Sequence, residues 1–366
     1  MSTLMQASNQ WATRPADQRF TSLLELRDHV QHSRDHSKAM TLSSRRLQLA
    51  PVEGTRNGLV VVGPNGNPAE LTHFSFGQIA QRAGAPAGYL RNVPSALAAD
   101  CINYGLQVSR DVEDIGVLLY KNGGPAEMRA VTGPAYGRVW NSTIANALVD
   151  RFGDGLTGDF KVPGEFGKDV IVTKDNTTLY ASDRDMFVFL ADEKHRIELP
   201  NRRDGASGSL ARGFFVWNSE VGASTFGIAT FLFDYVCCNR IVWGAQEYRE
   251  IKLRHTASAP DRWIEEVVPA IQDYANSGTT NIVEALQKAQ AAKIGNADKV
   301  DEFLRSRFTK TQATAIKAAH LADEQRPIET LWDVATGATA YARGISFQDE
   351  RVTIEREAGK IIDLAK

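Results

Sequence analysis

What most restricts the fold of this chain is the order in which its patterns occur. Between residues 59 and 217 short β-type runs are broken by turns, whereas from Pro260 to the end the apolar spacing is helical throughout. Strand runs followed by a helical block indicate an α+β fold: a central antiparallel sheet packed on a buried helix, with a helical C-terminal region. The same order argues against the strand–helix alternation of a Rossmann-like fold. Three parts are expected: a polar, loosely attached arm over residues 1–41, an α+β core over 42–255, and a helical region over 256–366.

Within the core, residues 59–62 and the Pro64-Asn65-Gly66-Asn67 turn predict a hairpin, because Gly and Asn tolerate the positive φ such reversals need. Residues 75–90 read as helix, turn, helix around Gly84, with another helix over 95–104. Strands over 115–119 and 128–131 flank Asn122-Gly123-Gly124-Pro125, and residues 136–152 read as one amphipathic helix. Further strands are expected over 169–173, 186–190, 196–199 and 213–217, with an exposed loop over 200–212. The run 226–238 is apolar on every face and follows Ser224, a plausible N-cap. It reads as the helix buried against the sheet. Capping-box spacings at Asn281 with Glu284 and Thr309 with Gln312 mark two later helix starts.

Composition excludes several function classes. The 366 residues carry 42 basic and 44 acidic side chains, a net charge of -2, so any site for a polyanion must be local. The three cysteines, Cys101, Cys237 and Cys238, are too few for a disulfide framework, which fits a reducing cytoplasm. The longest apolar run is interrupted by Asp234 and falls short of the ~20 residues a bilayer requires, so no membrane partner is expected.

Motifs for chemistry are sparse. His29, His32 and His36 lie at i, i+3 and i+7, a spacing that permits metal binding, but no Cys pair completes a tetrahedral set and a solvated polar helix is expected. Glu250-Ile251-Lys252 with Asp234 upstream matches, superficially, the carboxylate and lysine pattern of Mg²⁺ nucleases; surface charges are the plainer reading. No phosphate loop and no nucleophile elbow occurs, and Cys237 and Cys238 sit in apolar surroundings. No catalytic residue, metal or cofactor is assigned. Residues 76–91 resemble a helix-turn-helix, but Pro86 and the scarcity of cations beyond Arg82 and Arg91 favour a corner of the core.

The remaining signal is basic and aromatic. Lys194, Arg196, Arg202, Arg203 and Arg212 face only Glu198 and Asp204 in their stretch, a local charge of +3. Arg240, Arg249, Lys252 and Arg254 face Glu247 and Glu250, leaving +2. Trp217 and Trp243 flank these stretches and could stack on unpaired bases while guanidiniums neutralise phosphates. The alternative is an ordinary charged loop beside core tryptophans.

Phe214 to Trp217 followed by Asn218-Ser219-Glu220-Val221-Gly222, and Cys237-Cys238-Asn239-Arg240 after the apolar run, resemble the phage and plasmid "domain of unknown function 932" family. Weaker support over 78–94 and 331–341 extends the resemblance across most of residues 42–345, and the region 137–141 is compatible with it. The resemblance implies a mobile-element origin. In it Asn218, Ser219, Glu220, Gly222, Cys237 and Asn239 form a structural motif that orders the turns. The succession of strands, loop, strand and apolar segment is loosely similar to single-strand annealing recombinases. The expected function is therefore non-enzymatic: binding of single-stranded DNA in annealing or recombination, with possible homo-oligomers, through Lys194, Arg196, Arg202, Arg203, Arg212, Trp217, Arg240 and Trp243. The alternative is a protein that captures a host or phage protein; a Mg²⁺ nuclease comes third.

Overall fold

The computed structural model describes residues 14–54, 58–64, 66–108, 114–163, 171–199, 208–234, 239–241, 251–345 and 348–365. In chain order, β1 (Arg19–Phe20) leads into α1 (Leu23–Asp35), then β2 (Ser37–Ser43), β3 (Gln48–Pro51), β4 (Leu59–Val62) and β5 (Pro68–Leu71). Three helices follow, α2 (His73–Arg82), α3 (Ala87–Leu90) and α4 (Ser95–Val108), then β6 (Asp114–Tyr120), β7 (Ala126–Thr132) and α5 (Asn141–Phe152). Next come β8 (Phe160–Lys161), β9 (Leu179–Ala181), β10 (Met186–Asp192), β11 (Ile197–Leu199), β12 (Gly208–Asn218), β13 (Phe226–Asp234), β14 (Asn239–Ile241) and β15 (Ile251–Leu253). The chain ends in helices: α6 (Ala259–Arg262), a wide turn over Trp263–Val267, α7 (Val268–Asn276), α8 (Thr280–Ala291), α9 (Ala297–Arg305), α10 (Lys310–Glu324), α11 (Leu331–Arg343) and α12 (Gln348–Asp363).

The fold is α+β, with two sheets where the sequence suggested one. The first runs β1-β9-β10-β12-β13-β14 with β8, β11 and β15 attached; every pairing in it is antiparallel. The second runs β2-β6-β7-β5-β4-β3 and contains one parallel pairing, β5 with β7. α1, α5 and the Trp263 to α7 region cover one face of the first sheet, burying Leu23, Leu26, Ile144, Leu148 and Trp263 against Val188, Phe214 and Phe226. The helices from α8 onward pack on Leu199, Leu210 and Leu232 of the same sheet. The second sheet is backed by α2, α3 and α4 through Phe76, Ile79, Leu90, Ile102 and Leu106.

The buried helix expected over 226–238 gives way to a strand over its described part: residues 226–234 form β13, hydrogen-bonded to β12 over eight residue pairs from Leu210–Asp234 to Trp217–Gly227, and residues 235–238 lie outside the described residues. A run apolar at every position suits a strand buried on both faces as well as a buried helix, and periodicity cannot separate them. Here Phe226 and Ile228 enter the helix-covered face while Ala229 and Phe231 enter an aromatic cluster on the other. Gly227, unfavourable inside a helix, and the aromatic content were the discriminating signals. Ser224 accordingly precedes a strand.

Two glycines make that strand pair possible. Gly213 lies opposite Phe231, and Gly227 lies opposite Trp217. Each aromatic ring folds over the glycine facing it: a Cβ on Gly227 would sit 1.9 Å from Trp217 Cζ2, and one on Gly213 would sit 2.3 Å from Phe231 Cζ. Gly227→Ala is therefore expected to push the indole off the sheet and lower stability by about 1–3 kcal/mol, the usual penalty for overpacking. Urea denaturation followed by tryptophan fluorescence checks this; an unchanged midpoint would refute the close-approach reading.

The described part of the expected arm, from Arg14 on, belongs to the fold. Phe20, Leu23, Leu26 and Val30 are core residues, and β2 pairs with β6 along its full length. Polar sequence concealed this because only one face of α1 is apolar. Residues 76–91 form a corner rather than a DNA-reading pair: α3 has four residues, and the Arg91 guanidinium lies over the Phe76 ring at 5.1 Å and donates to the His73 carbonyl. The Thr309/Gln312 capping box is present, whereas α8 starts at Thr280 with Thr279 as N-cap, so Asn281 caps nothing. A further capping box, Thr330 with Asp333, opens α11. The strand expected over 169–173 is absent over 171–173; residues 169 and 170 lie outside the described residues. Among the described residues no helix is long and apolar enough to cross a membrane.

Candidate functional site

The turn Asn218-Ser219-Glu220-Val221-Gly222 follows β12 and is almost wholly buried, with Glu220 only 3% exposed. Polar groups so enclosed must find partners inside the protein, and here they reach the segment between β7 and α5. The Asn218 side-chain amide donates to the Val139 carbonyl and to Asn141 Oδ1. Tyr136 Oη donates to the Ser219 carbonyl at 2.8 Å, and Arg138 Nε donates to the Glu220 carbonyl at 2.7 Å. Gln78 bridges the two sheets, donating to the Val221 carbonyl and accepting from the Val131 N–H. Ser219 Oγ donates to the Arg184 carbonyl and accepts from the Val221 and Ala223 N–H groups.

Glu220 ties the knot. One carboxylate oxygen accepts from the Asn141 N–H, the first of α5, and the other lies 3.3 Å from Arg129, itself 5% exposed. A negative charge at a helix N-terminus is favourable, and this one arrives from 79 residues away. That explains why α5 starts at Asn141 and not at Tyr136: the capping group is absent from the local sequence. Arg129 also donates to Ser33 Oγ and the Asp183 carbonyl, so α1 and both sheets meet at this guanidinium.

Residues 136–140 lie outside any helix, with Trp140 extended, and their burial alternates over 138–140. Val139 enters the core while Tyr136, Arg138 and Trp140 form a half-buried row on the other side. The Arg138 guanidinium lies 5.5 Å from both the Tyr136 and the Trp140 ring centroids. Arg34 of α1 adds a second guanidinium 5.3 Å from Trp140, and His255 stacks on Tyr136 at 4.7 Å with 24° between the planes. The result is a ladder: Arg34, Trp140, Arg138, Tyr136, His255. Burial pushes the Tyr136 phenol well above its ordinary range and the His255 imidazole below its own; burial also lowers Arg138, against Tyr136 and Glu220, which raise it. His255 Nδ1 lies 3.1 Å from the Gly137 carbonyl, so in the neutral ring Nδ1 carries the proton and Nε2, buried without a partner, is bare. Arg34 donates only to the Ser142 and Thr143 hydroxyls. Neither it nor Arg138 has a described carboxylate within 4.0 Å.

The residues singled out in the sequence are dispersed. Arg212 is 2% exposed and bound to Asp192 at 2.9 Å, with further bonds to the Tyr274 and Ala275 carbonyls and Ser277. Arg196 is paired with Glu193, and Lys194 with Asp159 at 3.3 Å. Trp217 stacks on Phe215. Arg212 and Trp217 are five residues apart on one strand and so occupy opposite faces of the sheet, which excludes a shared groove. The exposed loop is not exposed over 208–212, where β12 is buried. Arg240 and Asn239 lie on β14, their backbones opposite Phe233 and Asp234. Arg202, Arg203, Trp243 and Cys237 lie outside the described residues.

The metal readings fare similarly. His29 packs on Phe20 at 4.8 Å while His32 and His36 lie against each other at 4.0 Å with their rings tilted by 33°. Among the described residues no group of three His, Cys, Asp or Glu is placed to hold a metal ion. Lys252 pairs with Gly227, seven residues along β13 from Asp234. That is about 23 Å at strand spacing, so Asp234 and Lys252 cannot serve one metal site; Glu250 lies outside the described residues.

A family model described as Domain of unknown function (DUF932) matches residues 172–358, just over half the chain. The chain belongs to this family. The DUF932 match contains the buried turn at 218–222 but begins at residue 172, leaving out 42–171, where the resemblance had extended, and it runs on past 345 to 358. The partner segment 136–141 and Arg34 therefore lie outside the DUF932 match. No curated protein and no solved structure matches the chain.

Proposed function

We propose that this protein is a non-enzymatic binder of single-stranded nucleic acid, acting in DNA annealing or recombination of a mobile element, and that the ladder is its contact surface. The observation that carries the reading is that Arg34 and Arg138 flank Trp140 with no carboxylate within 4.0 Å of either among the described residues. Arginine held against aromatic rings is the combination that grips a single strand: the rings offer stacking surface and the guanidiniums offer phosphate contacts. Arg254, next to His255 in sequence, is exposed and adds to the local positive charge. This reading places the contact at residues 34, 136–140 and 254–255 in place of the set expected from sequence, Lys194, Arg196, Arg202, Arg203, Arg212, Trp217, Arg240 and Trp243.

Fluorescence anisotropy with a labelled single-stranded 20-mer tests this. Wild type is expected to bind at low ionic strength, with affinity falling steeply as salt rises. Arg34→Gln combined with Arg138→Lys is expected to weaken binding about tenfold or more, and the loss of the Arg34 charge should reduce the salt slope by about 1. Lysine at 138 keeps the charge and reaches the same carbonyl, which protects the fold. No binding by wild type, or an unaltered double variant, ends the proposal. Capture of a host protein, the other reading, would draw on the exposed α4 stripe of Leu97, Tyr104 and Val108 and would be indifferent to these changes.

A further inference from the structure

The two edges of the second sheet are not alike. β3 forms one of them: the Val52 N–H donates to the Gly58 carbonyl, so by alternation Gln48 and Ala50 bond to β4 while Leu49 and Pro51 face outward. The Asn103 side chain of α4 accepts from the Leu49 N–H at 2.8 Å and donates to the Leu49 carbonyl at 2.9 Å, taking the place of a neighbouring strand, and Pro51 has no N–H to offer. β2 forms the other edge, and it carries no such guard. The Lys121 N–H donates to the His36 carbonyl, so by the same alternation Lys38, Met40 and Leu42 bond to β6 while Ser37, Ala39, Thr41 and Ser43 direct their backbone groups outward. Among the described residues the outward N–H and C=O groups of Ala39 and Thr41 have no partner, and both residues are exposed. The strand is seven residues long, paired along its whole inner side, and holds no proline and a single charge, Lys38. An edge of that kind is a template for another strand.

We propose that β2 pairs antiparallel with β2 of a second copy of this chain, joining the second sheets of the two copies across a two-fold axis at Met40. Antiparallel strands exchange hydrogen bonds only between residues that both face the partner. Full overlap meets that condition: Ser37 lies opposite Ser43 of the second copy and Ala39 opposite Thr41, all of them outward-facing. A shift of one residue would set outward residues against inward ones and break the ladder. The side chains agree with this register. Met40 and Leu42 pack on the helix-backed core. In the pair, Met40 meets its own counterpart and Lys38 meets Leu42, so the one charge of the strand does not face itself. On the other face a small Ala39 lies beside a β-branched Thr41. The edge shares no residue with the ladder of Arg34 to His255, so the pairing stands whether or not the protein binds nucleic acid.

Sedimentation velocity on the full chain, from about 1 to about 100 µM, tests the pairing; one edge pair is a small interface, so dimer is expected in the upper part of that range. Thr41→Pro removes an outward N–H that the single copy leaves unused, and proline is tolerated at such positions of an edge strand, so this variant should fold and stay monomeric. Ala39→Lys combined with Thr41→Lys sets like charges opposite each other across the axis and should weaken association at least about tenfold. Ala39→Glu combined with Thr41→Glu should do the same, and mixing the lysine and glutamate proteins should restore association. Both positions are exposed, which protects the fold. A wild-type chain that stays monomeric throughout, a dimer that survives either kind of change, or a mixture that fails to associate overturns the proposal. So does a dimer indifferent to these changes and lost on Tyr104→Lys, which would place the contact on the exposed stripe of α4.

Discussion

Glu220→Ala is expected to lower the free energy of unfolding by about 3–5 kcal/mol, because it strands the Arg129 guanidinium in the interior without its counter-charge. Two further losses accompany this. The Asn141 N–H at the start of α5 loses its acceptor, and the sheet-to-sheet junction loses the group joining both. Glu220→Gln keeps an acceptor for Asn141 but removes the charge, so it should fall between alanine and wild type. The double variant Glu220→Ala with Arg129→Met should be less destabilised than the two single losses added together, since the unpaired charge is gone; contacting residues in one network are non-additive in this way. Urea denaturation measures these three variants together with Arg129→Met alone. A Glu220→Ala protein within about 1 kcal/mol of wild type would show that the pair contributes no more than a surface ion pair does.

The architecture was legible where apolar spacing is decisive. Met186 to Leu190, Ile115 to Leu119 and the Thr309 capping box were read correctly because a strand pattern, a strand pair around a glycine turn, and a side chain three residues from its partner are local signals. What failed depended on distant residues. β13 required knowing that both faces of the run at 226–234 would be covered, and the start of α5 required a carboxylate from beyond β12. Arg212 departs from the sequence expectation for a related reason. Arg212 looks available in a glycine-rich, charged stretch, and nothing near it in sequence announces that Asp192, twenty residues earlier, lies across the hairpin. Conversely, Tyr136-x-Arg138-x-Trp140 has the alternation of an extended segment, which would have exposed the row had those residues not been assigned to a helix. Arg34 falls within residues 1–41, whose polar sequence suggests a loosely attached arm. The turn at 218–222 stands out as a motif in the sequence, and its burial accounts for its residue types: the Asn218 amide N–H groups, the Ser219 hydroxyl and the Glu220 carboxylate each hold a structural partner.

Arg212→Ala is expected to destabilise the fold by about 3–5 kcal/mol while leaving oligonucleotide affinity unchanged for the fraction that remains folded, since removing one partner of a buried pair leaves the other charge uncompensated. The stranded group is Asp192, which has no exposed surface. Its Oδ1 still accepts from the Lys194 and His195 N–H groups and the half-exposed His195 ring Nδ1 stays 3.1 Å from both oxygens, but Oδ2 loses the Arg212 bond, the permanently charged partner. The guanidinium also closes a second gap, donating to the Tyr274 and Ala275 carbonyls at the end of α7 and lying over the Phe160 and Tyr274 rings at 5.4 Å. Its loss therefore loosens α7 from the sheet. Arg212→Lys should be nearly as damaging, because one ammonium cannot reach the carboxylate and both carbonyls with the geometry of a planar fork. A phosphate-binding arginine would behave in the opposite way: binding would fall, stability would hold, and lysine would rescue in part. Denaturation and anisotropy on the same three proteins distinguish the two roles, and a stable Arg212→Ala protein with weakened binding would return the contact surface to residues 194–212.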